Sequence, residues 1–303
     1  MKETFYSNGK LLITGEYVVL DGAKAFALPT KFGQNLTVEN GKNKQISWKS
    51  FDSDGTIWFE DIIAFSDILH QTEFENQSIK NILIQILHQA YQLNADYLDN
   101  SDGYIILTQL TFPKNWGLGT SSTLINNIAS WCKIDAFELL QKSFGGSGYD
   151  IACAQNNTPI TYQLVNQKPI IKKVLFDNNF KGNIYFVYLN KKQNSRIAIE
   201  SYYKKKNNLD NIIPEINLIT DNILNTIDLQ NIEIQLHKHE NLISQIVEIP
   251  TLQKTLFSDF NGTIKSLGAW GGDFAMAISI EEPQKYFKSK GYETVLAYNE
   301  IIL

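Results

Sequence analysis

A glycine-rich stretch at residues 113–122 carries the residue types best suited to chemistry in this chain. It reads PKNWGLGTSS, so that two glycines are followed by three hydroxyl side chains. Glycine lets backbone N–H groups approach a ligand closely, and the N-terminus of a following helix adds partial positive charge. This combination suits an anion such as a polyphosphate, and Thr120, Ser121 and Ser122 could donate to phosphate oxygens or ligate Mg²⁺. A Gly-rich turn that simply caps a helix is the alternative.

The elements that must position this stretch are predicted by hydrophobic spacing. Short alternating segments within residues 10–60, separated by Asp-Gly and Asn-Gly turns, predict an antiparallel sheet. Apolar residues at helical spacing predict an amphipathic helix over residues 79–91, the clearest in the chain. The N-terminal half is completed by a strand at 104–110 that leads into the glycine-rich stretch, a helix at 136–142 and a strand at 159–165.

The C-terminal half begins with the strand NIYFVYL, and polar, Asn-rich helices are expected at 195–207, 212–228 and 232–246. The remaining elements are a strand in TIKSLG, a turn in AWGGD, the strand FAMAISI, a helix near 283–290 and the strand TVLAY. A βα unit completed by βαβ indicates a ferredoxin-like domain. The sequence therefore predicts an α+β protein with domains at 1–175 and 176–303.

Composition excludes several classes of function. The 303 residues carry a net charge of −5, so no basic field of the kind that holds nucleic acid is present. Two cysteines and four histidines form no metal spacing or disulfide framework. The sequence shows no apolar signal core and no run near the roughly 18 apolar residues of a membrane span. We expect a reduced, cytoplasmic protein that does not bind membranes.

Three further motifs accompany the glycine-rich stretch. They are GKLLITGEYVVLDG (9–22), GGSGYDIA (145–152) and IKSLGAWGGDF (264–274). In order and rough spacing, the four motifs resemble those of the galactokinase, homoserine kinase, mevalonate kinase and phosphomevalonate kinase (GHMP) superfamily, over nearly the whole chain. The string GYDIA also resembles the label of a bacterial subfamily. The resemblance implies an N-terminal ribosomal-protein-like domain with a left-handed βαβ unit and a ferredoxin-like C-terminal domain. It also implies ATP and Mg²⁺ as cofactors and a small-molecule acceptor, and it leaves a homodimer open.

The resemblance assigns the residues that would act on ATP. Asp150 resembles the aspartate near the acceptor oxygen, and Lys10 the lysine paired with it; without the resemblance, Asp150 would be interpreted as a helix cap. Glu138 is one position off the family's metal-ligating glutamate, and a solvated helix face is the alternative for it. The loop that would wrap the ATP phosphates falls on Pro113, Gly117, Leu118, Gly119, Thr120, Ser121 and Ser122.

The acceptor site is the part that departs most from the family. In the third motif Leu267 replaces a hydroxyl residue and Trp270 replaces a glycine. Trp270 either lines and reshapes the acceptor pocket or, if that glycine needed positive φ or close approach, leaves a weakened kinase or a pseudokinase. The resemblance places acceptor contacts at Glu16, Tyr17, Ser147, Gly148, Ser195, Arg196, Gly268, Ala269, Trp270, Gly271, Gly272 and Asp273.

Two residues favour phosphomevalonate as the acceptor. Tyr17 follows Gly-Glu, and Asp273 follows Gly-Gly, as in phosphomevalonate kinases. Lys191, Lys192 and Arg196 would form a basic cluster for an acceptor that already carries phosphate, although such a charge run is usually a solvated surface. Mevalonate, homoserine and a sugar remain alternatives, and so does a protein that binds nucleotide without catalysis.

Overall fold

The computed structural model describes residues 2–70, 78–176, 180–191, 195–205, 209–270 and 272–303. The strands are β1 (Lys2–Thr14), β2 (Ala25–Asn40), β3 (Gln45–Phe51), β4 (Ile57–Ala64), β5 (Gly103–Leu110), β6 (Ile160–Val165), β7 (Lys168–Lys173), β8 (Ile184–Tyr188), β9 (Thr263–Ser266), β10 (Phe274–Ile278) and β11 (Val295–Ala297). The helices are α1 (Phe65–Leu69), α2 (Ile79–Leu93), α3 (Asp96–Asp99), α4 (Thr120–Cys132), α5 (Ala136–Ser143), α6 (Tyr149–Ala154), α7 (Ser195–Lys205), α8 (Leu209–Asn225), α9 (Leu229–Val247), α10 (Leu252–Thr255), α11 (Gln284–Ser289) and α12 (Tyr298–Ile301). The predicted α+β class is confirmed.

The chain divides into two compact units. Unit 1 comprises Met1–Gly9, Phe32–Lys114 and Leu118–Gln155, and unit 2 comprises Lys10–Lys31, Asn115–Gly117 and Asn156–Leu303. Strands β1 and β2 each contribute residues to both units. The predicted domain boundary near residue 175 stays a prediction. In the described ranges, no helix combines the length and the apolar character needed to span a membrane.

Unit 1 is built on strands in the order β4-β3-β5-β2. β3 pairs antiparallel with β4, in agreement with the antiparallel pattern expected within residues 10–60, and parallel with β5, a pairing that the sequence did not predict. The long connection through α1, α2 and α3 makes the parallel pairing feasible, because parallel strands need a crossover. Ser78 is the N-cap of helix α2, and its side chain accepts a hydrogen bond from the Asn81 N–H. The helix buries Leu83, Ile86, Leu87 and Ala90 of the predicted apolar stripe, whereas Ile79 is exposed. The core of unit 1 therefore combines one face of the sheet with the apolar faces of α2, α4 and α5.

Unit 2 contains an antiparallel sheet in the order β11-β8-β10-β9. A helical segment follows β8, a turn joins β9 to β10, and α11 leads into β11, which gives the βαββαβ order of a ferredoxin-like fold. The ferredoxin-like expectation is confirmed. The first part of β2 pairs with β6, and β6 pairs with β7. Helices α8 and α9 are separated by residues 226–228 and pack together in this unit.

Within the first glycine motif, β1 ends at Thr14. Gly15 has φ of +88° and Tyr17 has φ of 63°, values that break an extended strand. A Cβ on Gly15 would also lie 3.0 Å from the Cα and Cβ of Ala25, so only glycine fits there. The chain then forms a short 3-10 turn at Val18–Asp21.

Candidate functional site

The last three residues of the glycine-rich stretch, 120–122, form the beginning of α4 in unit 1. Gly119 is the N-cap of the helix and has a left-handed conformation with φ of 98°. The first backbone bond of the helix runs from the Thr123 N–H to the Gly119 carbonyl at 3.0 Å. The N–H groups of residues 120–122 precede that bond and have no acceptor among the described residues. Such a helix end attracts an anion through free N–H groups and the helix dipole together.

The three hydroxyl side chains at this helix end are not equivalent. Ser122 is buried, and its Oγ donates to the Gly119 carbonyl at 2.9 Å, so it closes the turn from inside. Thr120 is half-buried and Ser121 is exposed, and neither hydroxyl has a partner in the part of the chain that the structure describes. Leu118 is fully buried and anchors the loop, whereas Pro113 is exposed. Thr120 and Ser121 are therefore the hydroxyls presented toward solvent.

A network of buried polar side chains holds α4 in place. The Asn127 side chain donates to the Gln34 carbonyl at 2.9 Å, and the Thr123 hydroxyl donates to the Gln34 side chain at 2.8 Å. The Ser7 hydroxyl donates to Asn127 at 2.7 Å and accepts from Asn126 at 2.8 Å. Since these groups are buried, each needs the partner it has. The network ties α4 to β1 and β2 within unit 1.

Asp150 lies in the first turn of α6, also in unit 1. Gly148 is the N-cap of α6, with φ of 87°, so Asp150 does not act as the N-cap residue. The Asp150 carboxylate is half-buried and accepts a bond of 3.1 Å from the Ile151 N–H. The Gln155 side chain at the end of α6 donates to Asn126 of α4 at 2.9 Å. Unit 1 thus brings the helix of Asp150 alongside the helix of the glycine-rich stretch.

Two further residues predicted to belong to the site, Ser147 and Glu138, lie in unit 1. Ser147 is buried just before α6. Glu138 is exposed on α5, where it pairs with Lys142 at 3.8 Å, as expected of a solvated helix face. The described residues contain no group of three or more His, Cys, Asp or Glu side chains that could hold a metal ion. The roles of Glu138 and Ser147 stay predictions.

In unit 2, the end of β1 is held by contacts from two helices. The Thr14 hydroxyl lies 2.8 Å from the Thr220 hydroxyl of α8 and accepts from the Phe26 N–H at 3.0 Å. The Gly15 N–H donates to Nε2 of His239 on α9 at 2.9 Å. These buried contacts fix the backbone of the first motif a few residues after Lys10.

Glu16 lies in a cluster of buried ionisable side chains. Lys265, which is 0% exposed, contacts Glu16 Oε1 at 2.5 Å and Glu240 Oε1 at 3.3 Å. Glu240 also accepts from the Ser266 N–H at 3.1 Å. Burial raises the pKa of Glu16 to about 7, although the Lys265 ammonium acts to lower it. The carboxylate predicted to touch the acceptor therefore makes an internal ion pair.

Tyr17 and Trp270 meet in the helical core of unit 2. The Trp270 N–H donates to the Tyr17 hydroxyl at 2.9 Å, and the indole Nε1 donates to the Pro250 carbonyl at 3.2 Å. The Tyr17 ring stacks on Tyr202 with 5.6 Å between centroids. Trp270 is buried, and it is not among the described residues with positive φ. The indole therefore causes no backbone strain and packs inside the unit.

Residues of three motifs, among them Trp116 of the glycine-rich stretch, line one small pocket in unit 2. A Cβ on Gly117, which has φ of +71°, would lie 2.3 to 2.6 Å from the carboxyl atoms of Asp273. A Cβ on Gly268 would lie 4.0 Å from both Lys10 Nζ and Asp273 Oδ2. The basic and acidic groups of the first and third motifs thus reach the same place, and the absence of a side chain at Gly117 leaves room for the carboxylate.

The other predicted acceptor residues are placed as follows. Ala269 and Gly272 are buried, and in sequence they are the neighbours of Gly268 and Asp273, which line this pocket. Gly271 lies outside the described residues. Ser195 begins α7, but the side chains of Ser195 and Arg196 are outside what the structure describes. Lys191 is exposed, and its carbonyl accepts from the Asp273 N–H at 2.7 Å.

Sequence reasoning missed His239 and Glu240, which complete the cluster around Lys265. A signal was present, because both occupy the apolar stripe of α9 between Leu236 and Ile243. It also missed Trp58 in unit 1, whose ring lies 4.9 Å from Lys114 Nζ. The buried Trp58 Nε1 has no hydrogen-bond partner among the described residues. Nothing in the spacing of the strands indicated this contact beside the glycine-rich stretch.

No protein-family model matches the chain, and no curated protein matches it. Solved structures do match it along nearly its full length. A mevalonate kinase structure has a TM-score of 0.70 at 17% identity, covering 97% of this chain and 96% of that one. Phosphomevalonate kinase of Streptococcus pneumoniae, in complex with phosphomevalonate and AMPPNP, has a TM-score of 0.70 at 15% identity, with 95% of each chain covered. Galactokinase of Lactococcus lactis, complexed with galactose, has a TM-score of 0.70 at 12% identity, covering 95% and 88%.

All three similar structures are GHMP kinases. The chain therefore has the two-domain GHMP kinase fold, as the four motifs predicted.

Proposed function

We propose that the protein is an ATP-dependent kinase of the GHMP type that phosphorylates a small-molecule acceptor. The observation that carries the proposal is the N-terminus of α4. Its left-handed Gly119 suits the phosphates of ATP, as do the N–H groups of residues 120–122 and the hydroxyls of Thr120 and Ser121, which have no partner among the described residues. The full-length similarity to kinases supports the same assignment.

Asp150 and Lys10 are the groups proposed for the transfer itself. Asp150 would accept the proton of an acceptor hydroxyl or orient Lys10, and Lys10 would offset charge that develops on the transferred group. The pairing of the two stays a prediction, since they belong to different units. Mg²⁺, when bound, would neutralise charge on the phosphates, and the exposed Ser121 hydroxyl would help to hold it.

Phosphomevalonate is the first candidate for the acceptor. Tyr17 and Asp273 favour it, and a solved phosphomevalonate kinase is among the similar structures. Mevalonate, galactose and homoserine are the alternatives.

The candidate acceptors differ in the ionisation of the oxygen that receives the phosphoryl group. A phosphomonoester has its second pKa near ~6 and is already ionised at neutral pH, whereas an alcohol must lose a proton. Loss of the Asp150 carboxylate should therefore be more harmful with an alcohol acceptor.

The second candidate function is nucleotide binding without catalysis. It is favoured by Leu267, which is buried and supplies no hydroxyl where the family has one. Trp270 no longer argues for it. Its backbone does not need positive φ, and its ring lies in a buried cluster that includes Tyr17 and donates a hydrogen bond to the Pro250 carbonyl.

A coupled ADP-release assay with Mg-ATP would test the proposal on phosphomevalonate, mevalonate, homoserine and galactose in parallel. Turnover on one acceptor is expected, and Asp150→Asn should reduce it at least ~100-fold with little change in ATP affinity. Asp67→Asn is the matched control, because Asp67 is an exposed carboxylate of α1 in the same unit. ATP binding without turnover on any acceptor would favour the second candidate. Full activity in Asp150→Asn would refute the assigned role.

A further inference from the structure

The Lys265 cluster, defined here as Glu16, His239, Glu240 and Lys265, is a group of four buried ionisable side chains apart from Lys10 and Asp150. None of its members is more than 2% exposed. Burying such groups is unfavourable unless each is paired, so the arrangement needs a reason beyond filling space. It lies wholly within unit 2.

We propose that the Lys265 cluster positions the first and third glycine motifs for phosphoryl transfer, with His239 and Glu240 of α9 as the residues that hold the two motifs together. This inference rests on the proposed kinase function and adds positioning residues to it.

Helix α9 contacts the backbone of both motifs from adjacent residues. His239 Nε2 accepts from the Gly15 N–H at 2.9 Å, and Glu240 Oε1 accepts from the Ser266 N–H at 3.1 Å. Gly15 follows the strand that carries Lys10, and Ser266 precedes Gly268 by two residues. The two backbone segments held by α9 therefore lead directly to the pocket where Lys10 and Asp273 approach Gly268.

Lys265 joins the two motifs a second time, through side chains. Its Nζ contacts Glu16 of the first motif at 2.5 Å and donates to the Ser266 carbonyl at 2.8 Å. Glu240 lies 3.3 Å from the same ammonium. One buried positive charge thus faces two carboxyl groups, so the cluster is electrically neutral only when one carboxyl holds a proton.

The protonation state of Glu16 controls the strength of this link. An ionised Glu16 makes a charge-assisted bond to Lys265, whereas a protonated Glu16 makes a weaker one. The groups that face Glu16 are Lys265 from β9, His239 and Glu240 from α9, and Tyr17 beside it in the turn. Burial raises the pKa of Glu16 to about 7, and the nearby Glu240 charge contributes a smaller part of that rise. His239 accepts the Gly15 N–H as a neutral ring, and burial holds its pKa well below the usual value.

The pH dependence of turnover tests the link. Activity should fall as the pH drops through about 7, where Glu16 gains its proton. Glu240→Gln keeps an acceptor for Ser266 but removes the like charge, so the midpoint of this acidic limb should move to lower pH by about 0.5 unit or more. Glu233→Gln is the matched control, since Glu233 is another α9 carboxylate that accepts from β9, through the Thr263 hydroxyl at 3.1 Å. A Glu240→Gln profile that superimposes on wild type would overturn the proposal.

A second pair of variants tests the His239 contact. His239→Leu leaves the Gly15 N–H without an acceptor, and we expect about a tenfold loss in kcat/KM for the acceptor with KM for ATP within about twofold of wild type. His239→Gln, whose amide oxygen can accept the same N–H, should restore most of the loss. Equal activity in both variants would contradict a positioning role.

Hydrogen exchange separates failure of this inference from failure of the proposed function. If wild type shows no turnover on any acceptor, the kinase proposal fails, and the exchange of backbone amides still reports on the cluster. His239→Leu should lose protection in segments 11–18 and 264–268, whereas Glu233→Gln should keep it. Unchanged protection in His239→Leu would overturn the positioning role whether or not the protein is a kinase.

Discussion

The buried carboxyl of Glu16 should give the protein a stability that decreases as the pH rises. Burial raises the pKa of Glu16 from 4.5 to about 7 in the folded protein. The folded state therefore binds this proton more tightly than the unfolded state does. The stability that Glu16 contributes is fully present below pH 4.5 and is lost as the pH rises through about 7. This direction is opposite to that of a carboxylate stabilised mainly by a salt bridge.

The size of the effect follows from the two pKa values. Since the folded value lies about 2.5 above the unfolded one and each pKa unit corresponds to about 1.4 kcal/mol, Glu16 should change the unfolding free energy by about 3 kcal/mol. His239 acts in the opposite direction, because burial lowers its pKa. Its stabilising contribution is present above the unfolded pKa of 6.5 and is lost as the pH falls. Wild type alone would therefore show a partly cancelled dependence.

Comparing wild type with Glu16→Gln isolates the Glu16 contribution, because His239 is present in both proteins. Urea unfolding at half-unit steps from pH 4.5 to 8 gives the difference in unfolding free energy at each pH. The variant should gain about 3 kcal/mol relative to wild type across this range, on top of any constant loss from the altered Lys265 contact. A constant difference, or one that grows in favour of wild type with rising pH, would refute the reasoning and show that Lys265 dominates the environment of Glu16.

Two further substitutions test the packing of the motifs. Gly117→Ala should destabilise the protein by about 2 to 4 kcal/mol, because it adds left-handed strain and a clash with Asp273. Gly291→Ala, at φ +87° with no neighbour within 4 Å of the new Cβ, should lose only about 1 to 2 kcal/mol. Thermal unfolding measures the difference in stability between the two variants, and equal losses would argue against the Asp273 contact. Trp270→Gly, which restores the family residue, should destabilise by about 3 to 5 kcal/mol without raising turnover, because the indole is buried in the core. A gain in turnover would show that Trp270 obstructs the reaction.

Much of the fold could be predicted because its signals are local or ordered. The apolar stripe of α2 and the glycines before α4 indicated those helices, and the order of elements after residue 183 indicated the ferredoxin-like sheet. Pairing across long connections left no such signal. Strand β3 reads as one more alternating segment, yet its partner β5 begins more than fifty residues later in sequence. Strand direction in that pair is decided by the intervening helices, which alternation along one strand does not encode.

The motif glycines were recognisable in the sequence because certain backbone conformations favour glycine. Gly117, Gly119 and Gly148 all have positive φ, a conformation that glycine adopts readily. Burial of charged residues was not predictable in the same way. Glu16 and Lys265 are separated by 249 positions, and each alone resembles a solvated side chain. Only the chain fold brings them to 2.5 Å and makes the pair visible.

The motif residues of this chain therefore serve two different purposes, which sequence similarity does not distinguish. Glu16, Tyr17 and Trp270 were assigned to the acceptor by resemblance, yet each makes its contacts inside unit 2. Lys10 and Asp273, from the same motifs, instead reach the small pocket beside Gly268. Trp270, which stands where the similar motif has glycine, therefore fits this fold, because its side chain faces the core and its backbone needs no positive φ. By the same argument, changes in stability should be sought at the residues that hold the motifs together.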